Sequence, residues 1–228
     1  MSLEDALRQR LSATSLPEGG QVTLAGPAEF TTLANINAEA VAYTGEDIYG
    51  RQDESFFARI HDDGAAILLI HEKGQAVGYS VVGPAARMTG LFAAETDKGL
   101  LFGTAMRAQA RGRGWQRCLI RLRSAALFDA GFKAAKAFVS PWNHVSLGNL
   151  LEEGMAVVSH DFSYYGQHRF IVEMPVNGWP DSAPGGQSLT LPPQGAIDAH
   201  CALLSQGWSG RQVDRISATL SYCRSATC

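Results

Sequence analysis

Two glycines within four residues, Arg111-Gly112-Arg113-Gly114, stand between an apolar stretch at 100–106 and a segment with helical periodicity from Trp115 to about Ala130. In that segment Trp115, Cys118, Leu119, Leu122, Ala125, Ala126 and Ala130 recur on one face, and Gly131 ends it. A strand that enters a helix through such a turn leaves the helix's first N–H groups facing the turn, with the positive end of the helix dipole behind them. Glycine lets a ligand approach that backbone closely. The arrangement suits a phosphate, and a pyrophosphate above all. It is not a Walker loop, because no Gly-Lys-Ser/Thr follows. It is not a dinucleotide fingerprint either, because the third glycine and an acidic residue about 20 positions on are missing.

Charge reinforces the turn. No acid occurs between Asp97 and Asp129, while Lys98, Arg107, Arg111, Arg113, Arg117, Arg121 and Arg123 do. The whole chain carries −3, so those seven basic residues leave the remainder at −10. One basic element in an acidic chain points to one anionic ligand rather than to a nucleic-acid surface, which needs basic stripes elsewhere. The 228 residues allow one substantial domain with an appendage, and 18% charged residues exclude a disordered solvating chain. The longest apolar run, Ala65-Ala66-Ile67-Leu68-Leu69-Ile70, is far short of the ~20 residues of a bilayer span. A cytoplasmic protein that engages no membrane is expected. Cys118, Cys201, Cys223 and Cys228 form no C-x-x-C pair. A zinc set of His200, Cys201, Cys223 and Cys228 fits no common spacing, so no metal is expected.

The rest of the chain reads as an α+β layout. An amphipathic helix is expected over 3–13 and a strand over 21–24. A helix opened by Pro27 runs to about 43, with Phe30, Leu33, Ala34, Asn37 and Val41 on one face. Asp53 caps a short helix over 54–61. Segments 65–71 and 76–82 form a hairpin around Glu72-Lys73-Gly74-Gln75. After the long helix come a strand at 136–140, a helix opened by Asn143, and strands at 155–159 and 169–176. From 178 to 193 a Pro/Gly-rich linker is expected. Beyond it lie a helix near 197–206 and one more element over 212–223, with Ile197, Cys201, Leu204 and Trp208 as an apolar stripe.

Taken together, strand, Arg111-Gly112-Arg113-Gly114 and long helix resemble the acyl-CoA motif of the GNAT superfamily of acetyltransferases, Arg/Gln-x-x-Gly-x-Gly/Ala, with Arg111 and Gly114 at its first two fixed positions. Gly131-Phe132, the next strand, Asn143-x-x-Ser146 and Glu153-Gly154-Met155 are similar to the family's following segment. Tyr164-Tyr165-Gly166 falls where many members carry a Tyr-Tyr-Gly turn, and the hairpin with Gly78-Tyr79 fits too. The resemblance covers about residues 20–175. It implies a GNAT-like mixed central sheet flanked by helices, with residues 1–19 as a helical extension, 20–177 as the acetyltransferase domain and 178–228 as a C-terminal linker and appendage. It implies acetyl-CoA as co-substrate. The pyrophosphate would lie on the backbone of Arg111, Gly112, Arg113, Gly114, Trp115 and Gln116. The pantetheine arm would pair along Thr104, Ala105 and Met106 and approach Asn143 and Ser146. Arg113, Arg117 or Arg121 would meet the 3′-phosphate.

The departures from the family pattern bear on catalysis. Gln116 and Trp115 are bulkier than usual at their positions. Where many members carry a carboxylate on the strand, this chain has Phe102 and Gly103; where many carry a tyrosine after the Asn, it has Leu150. The remaining candidates for proton transfer are Tyr165, Tyr164, Glu95, His144 and His160. The implied activity is transfer of an acetyl group to an amine by direct attack in a ternary complex, with a small-molecule or peptide amine as partner and a homodimer left open. The alternative is a catalytically silent CoA-binding sensor or assembly subunit. Glu39, Glu46, Asp47 and Asp53, on the helices expected to line the acceptor cleft, would suit a cationic amine.

Overall fold

Ile67, Leu68, Leu69 and Ile70 are all buried rather than every second one, so the strand that holds them is covered on both faces. In the computed structural model this strand is β2 (Ala66–Glu72). The structure describes the chain except for residues 46, 47, 49, 164, 165, 181–185 and 225–228. It divides into two units, Met1–Ala135 and Lys136–Cys228.

In the first unit β1 (Gly20–Leu24), β2, β3 (Gln75–Pro84) and β4 (Lys98–Met106) lie side by side in chain order, each antiparallel to the next. Lys73 and Gly74 make the two-residue turn of the β2–β3 hairpin, as the sequence indicates. The helices are α1 (Leu3–Ala13), α2 (Phe30–Thr44), α3 (Glu54–Asp62), the short α4 (Ala85–Met88) and α5 (Trp115–Asp129). Pro27 opens a single 3-10 turn, Pro27–Glu29, ahead of α2.

Strand parity sets the layers. Phe102 stacks on Phe56 of α3, with ring centroids 5.7 Å apart. Three residues earlier, a Cβ at Gly99 would overlap Leu127 of α5. Residues three apart point to opposite faces of a strand, so α3 and α5 cover opposite faces of β4. Gly99 also lets α5 come that close. The helix α1 packs on α5 through Ala6 and Leu7, and Arg10 forks onto Asp129 at 2.5 and 2.8 Å. Those bonds hold the Asp129 carboxyl below the usual carboxylate range.

In the second unit the strands β5 (Ala134–Val139), β6 (Ala156–Asp161), β7 (Arg169–Pro175), β8 (Gln187–Thr190), β9 (Trp208–Asp214) and β10 (Thr219–Arg224) follow the order β5-β7-β6-β9-β10-β8. The pairs β6–β7, β6–β9, β9–β10 and β10–β8 are antiparallel. Two helices complete it, α6 (His144–Glu152) and α7 (Ile197–Ser205). With its helices set on a mostly antiparallel sheet, the fold is α+β. Three expectations for the C-terminal segment need correcting. The linker expected over 178–193 holds β8, paired with β10, and the buried Leu191. Trp208 does not extend the stripe of Ile197, Cys201 and Leu204, because α7 closes with the Gln206 and Gly207 amides bonded back to Leu203 and Leu204, and Trp208 opens β9. The single element over 212–223 is instead a hairpin. The Asp214 carboxylate accepts the Ile216 and Ser217 N–H groups at 2.8 and 3.2 Å and turns the chain.

His200 lies fully buried between these elements. Its Nε2 is 2.9 Å from the Thr190 carbonyl, which only accepts, so Nε2 carries the proton. Nδ1 then accepts from the Tyr222 hydroxyl at 2.8 Å. Burial pushes the His200 pKa down and the Tyr222 pKa up. Burial, followed by the charge of His168, lowers His160 as well. A histidine whose native pKa is depressed binds protons more readily unfolded. Its contribution is complete above the ordinary value of about 6.5 and is lost as the pH falls from there toward the native value. The melting temperature should therefore fall on acidification below about pH 6.5. A melting temperature that rose over that interval would reject neutral buried imidazoles. Tyr222→Phe, which leaves Nδ1 without its donor, should cost about 1–2 kcal/mol in urea unfolding at pH 8.

Candidate functional site at the strand-turn-helix

The chain leaves β4 at Met106, makes a 3-10 turn at Ala108–Ala110, and enters α5 through Gly112 and Gly114. Gly112 has φ +76° and Gly114, the N-cap, has φ +82°, a left-handed backbone that side chains rarely adopt. No side chain caps α5, and its first turn holds no acid. A Cβ at Gly112 or Gly114 would meet nothing within 4 Å. The helix thus presents its uncapped positive end to open space, the arrangement that receives an anion.

Glu72, the last residue of β2 and nearly buried, holds this turn in place. Its Oε1 accepts from the Trp115 indole at 2.7 Å, and its Oε2 pairs with Arg113 at 2.9 Å. The Trp115 side chain is therefore core, packed where a Cβ on Gly20 would collide with it. Only its backbone can serve a ligand. Arg111 binds the other side of the turn, donating from Nε to the Met106 carbonyl at 3.0 Å with its guanidinium 4.0 Å above the Tyr43 ring. Arg107 donates to the Ala76 carbonyl and pairs with Glu39 at 3.0 Å. The basic run is not one face. Arg123 is buried and donates to the Val81 carbonyl at 2.8 Å, whereas Arg117 and Arg121 are exposed and Gln116 is half-buried.

Along β4 the register against β3 slips. Ser80 pairs with Thr104 and Val81 with Phe102, so Gly103 is an extra residue, with φ +44°. Thr104 shares a 2.7 Å hydrogen bond with Ser80, Ala105 is buried, and the Met106 sulfur lies against Gly78. Over Gly103 sits the amide of Gln52, both of whose terminal atoms are 3.5 Å from where a Cβ would be. That amide belongs to a buried network with Asn37 and Tyr79. The loop preceding α3 gives no periodic signal for Gln52. Asn37, a lone amide in an apolar helical stripe, was the sequence's pointer to a buried polar network.

Glu95 pairs with Lys98 at 3.1 Å within the turn before β4. Asn143 caps α6, its Oδ1 accepting the Ser146 N–H at 3.1 Å. His144 donates from Nε2 to the Pro192 carbonyl at 2.7 Å. His160 shares a 2.7 Å hydrogen bond with His168, whose ring lies near Phe162 and Trp142. Leu150 is buried on α6. Tyr164 and Tyr165 lie outside the described residues, as do Glu46 and Asp47. Of the four acids expected to line a cleft, Glu39 is paired to Arg107. Asp53 caps α3, accepting from Phe56 N at 2.9 Å, and hydrogen bonds from Ser55 and Phe56 lower its pKa. Among the described residues no group of three or more His, Cys, Asp or Glu is placed to hold a metal ion. Among the described residues no helix is long and apolar enough to cross a membrane.

No family model matches the chain, and no curated protein matches it. Solved structures do. An aminoglycoside acetyltransferase in complex with coenzyme A and kanamycin superposes with a TM-score of 0.56 at 14% identity, over 69% of this chain and 95% of that one. A GNAT superfamily phosphinothricin acetyltransferase from Sinorhizobium meliloti, in complex with acetyl-CoA, gives 0.54 at 14% identity over 72% and 94%. A ribosomal-protein-alanine N-acetyltransferase from Brucella melitensis gives 0.53 at 19% identity over 68% and 99%. The fold is that of the GNAT acetyltransferases.

Glu72→Ala leaves the buried indole N–H without an acceptor and releases Arg113. It should cost about 2–4 kcal/mol in chemical unfolding, and Glu72→Gln, which keeps an acceptor for Trp115, should cost less. Equal stability of the alanine variant and the unaltered protein would show that the turn does not depend on this carboxylate.

Proposed function

We propose that the chain is an acetyl-CoA-dependent N-acetyltransferase. The observation that carries this is the uncapped, left-handed entry to α5 at Gly114, opening onto free space on a fold of the GNAT type. When bound, acetyl-CoA would supply an acyl group activated as a thioester, open to direct attack by an amine in a ternary complex.

The backbone N–H groups from Arg111 to Gln116 would hold the pyrophosphate. Backbone groups of Thr104, Ala105 and Met106 would pair with the pantetheine arm, as an added strand. Arg113, at the entry to α5, or Arg117 or Arg121, exposed on it, would meet the 3′-phosphate. The half-buried Phe56, Phe102 and Gln52 would border the acceptor amine. With Phe102 in a ring stack, no side chain on Gly103 and Leu150 buried, orientation of the amine is the main source of rate at those positions. Residues 178–228 are proposed as an appendage whose β9 pairs with β6.

Gly114→Asp puts a carboxylate in open space at the anion's position. It should fold and lose about 2 kcal/mol of CoA affinity, roughly thirtyfold, in calorimetry. Unchanged affinity would remove the turn from the site. Arg117→Glu and Arg121→Glu should weaken CoA more than dephospho-CoA. Equal losses for both ligands would assign the two arginines to a general field rather than to the 3′-phosphate. Release of CoA in the presence of an amine separates the enzyme from a silent CoA-binding module.

A further inference from the structure

The network beneath the β4 bulge has a direction that its own chemistry dictates. The backbone N–H of Gln52 donates to one end of the Asn37 amide at 2.8 Å, so that end is Oδ1. The other end, Nδ2, faces the Gly50 carbonyl at 3.3 Å, which confirms it as the donor, and donates to the Tyr79 hydroxyl at 3.0 Å. Having accepted from Asn37, the Tyr79 hydroxyl donates its proton to the Gln52 amide at 2.6 Å. The end of Gln52 that receives it must be Oε1. The Asn37 Nδ2, a donor, also lies 3.5 Å from that same end, which leaves Nε2 as the outer end of the Gln52 amide.

Asn37 and Tyr79 are buried, with 1% and 0% exposure, while Gln52, Phe56, Phe102 and Gly103 are half-buried. The network is therefore a rigid base carrying one accessible end. Among the described residues Nε2 has no hydrogen-bond partner. It stands over Gly103, 3.5 Å from where a Cβ would be, next in sequence to the Phe102 of the ring stack. An amide N–H donates and does not accept, so this spot favours an oxygen and disfavours an ammonium. An arm laid along Thr104–Met106 from the turn ends, after about 10 Å of strand, at this bulge.

We propose that Gln52 determines acceptor specificity: its Nε2–H binds a carbonyl or carboxylate oxygen carried next to the reacting amine, with an apolar group of the acceptor against Phe56 and Phe102. The inference rests on the acetyl-transfer function proposed above. The acceptor class is an α-amino carbonyl compound, such as an amino-acid amide or a peptide N-terminus, rather than a plain alkyl amine or a polyamine. Asn37 and Tyr79 are positioning residues, acting through Gln52.

The test compares acetylation of L-phenylalaninamide and 2-phenylethylamine, which differ by the carboxamide group that carries the carbonyl oxygen. The unaltered protein should prefer the first by at least tenfold in kcat/KM. Gln52→Glu keeps an oxygen for Tyr79 and replaces the outer donor by an acceptor; it should bring the ratio to within about twofold, with KM for acetyl-CoA unchanged. Tyr79→Phe, which frees the Gln52 amide to rotate, should reduce the ratio partway. A ratio near one in the unaltered protein, a ratio unaffected by Gln52→Glu, or acetylation of neither amine by a protein that binds CoA in calorimetry overturns the inference. Absence of CoA binding in the unaltered protein is a different result; it overturns the acetyl-transfer function and the inference with it.

Discussion

A nearly buried carboxylate is costly unless its oxygens are engaged, and Glu72 engages both with the two residues that flank Gly114. This sets where α5 begins. Glu72 closes the β2–β3 hairpin opposite Gln75 and also pairs with Gly20 of β1, so three elements of the sheet meet at the point that anchors the turn. With the start of α5 fixed there, Arg123 two turns on reaches the Val81 carbonyl of β3, and Leu127 one turn further reaches the space left by Gly99. The open N-terminus of the helix stays uncapped because its neighbours are held from behind. Trp115 is anchored by its side chain, which leaves its backbone facing the turn.

The bulge at Gly103 is the second constraint, and it acts on side-chain direction. In a regular strand Phe102 and Thr104 would share a face. The extra residue turns Thr104 toward Ser80, while Phe102 remains on the side of α3. Tyr79, next to Ser80 on β3, points to the α2 and α3 side, where its hydroxyl meets Asn37 and Gln52. One inserted glycine thus separates a hydroxyl pair on one face from an amide network and a ring stack on the other.

The strand-turn-helix was legible because it is local: an apolar strand, two glycines and a helical stripe follow one another within about thirty residues, and each has its own signal. Asn143 as a helix cap and Asp53 as another were legible for the same reason. Arg123 belongs to the basic run of 98–123, yet its spacing of four from Leu119 puts it on the apolar stripe, a position that a count of charge does not show. The role of Glu72 was not legible, because its partners lie 41 and 43 residues away and a hairpin turn accounts for a glutamate without them. Gln52 was hidden in a loop that has no period to read. The second C-terminal hairpin was missed because its turn is made by a side chain, Asp214, rather than by glycine or proline.

The chemistry around the bulge differs from that of a site built on proton transfer. Its side chains are an amide, a tyrosine hydroxyl already committed as a donor, and two phenylalanine rings, none of which is a base at neutral pH. Such surroundings contribute by fixing an acceptor's position, with an N–H donor that takes an oxygen and rings that take an apolar group. Effective molarities of oriented reactants are large enough for that contribution to matter. An amine next to a carbonyl is also a weaker base than an alkyl amine, so more of it is already neutral and nucleophilic near pH 7. A site without a carboxylate at positions 102–103 therefore matches the proposed acceptor class, which needs one least, and the donor over Gly103 is the group proposed to recognise it.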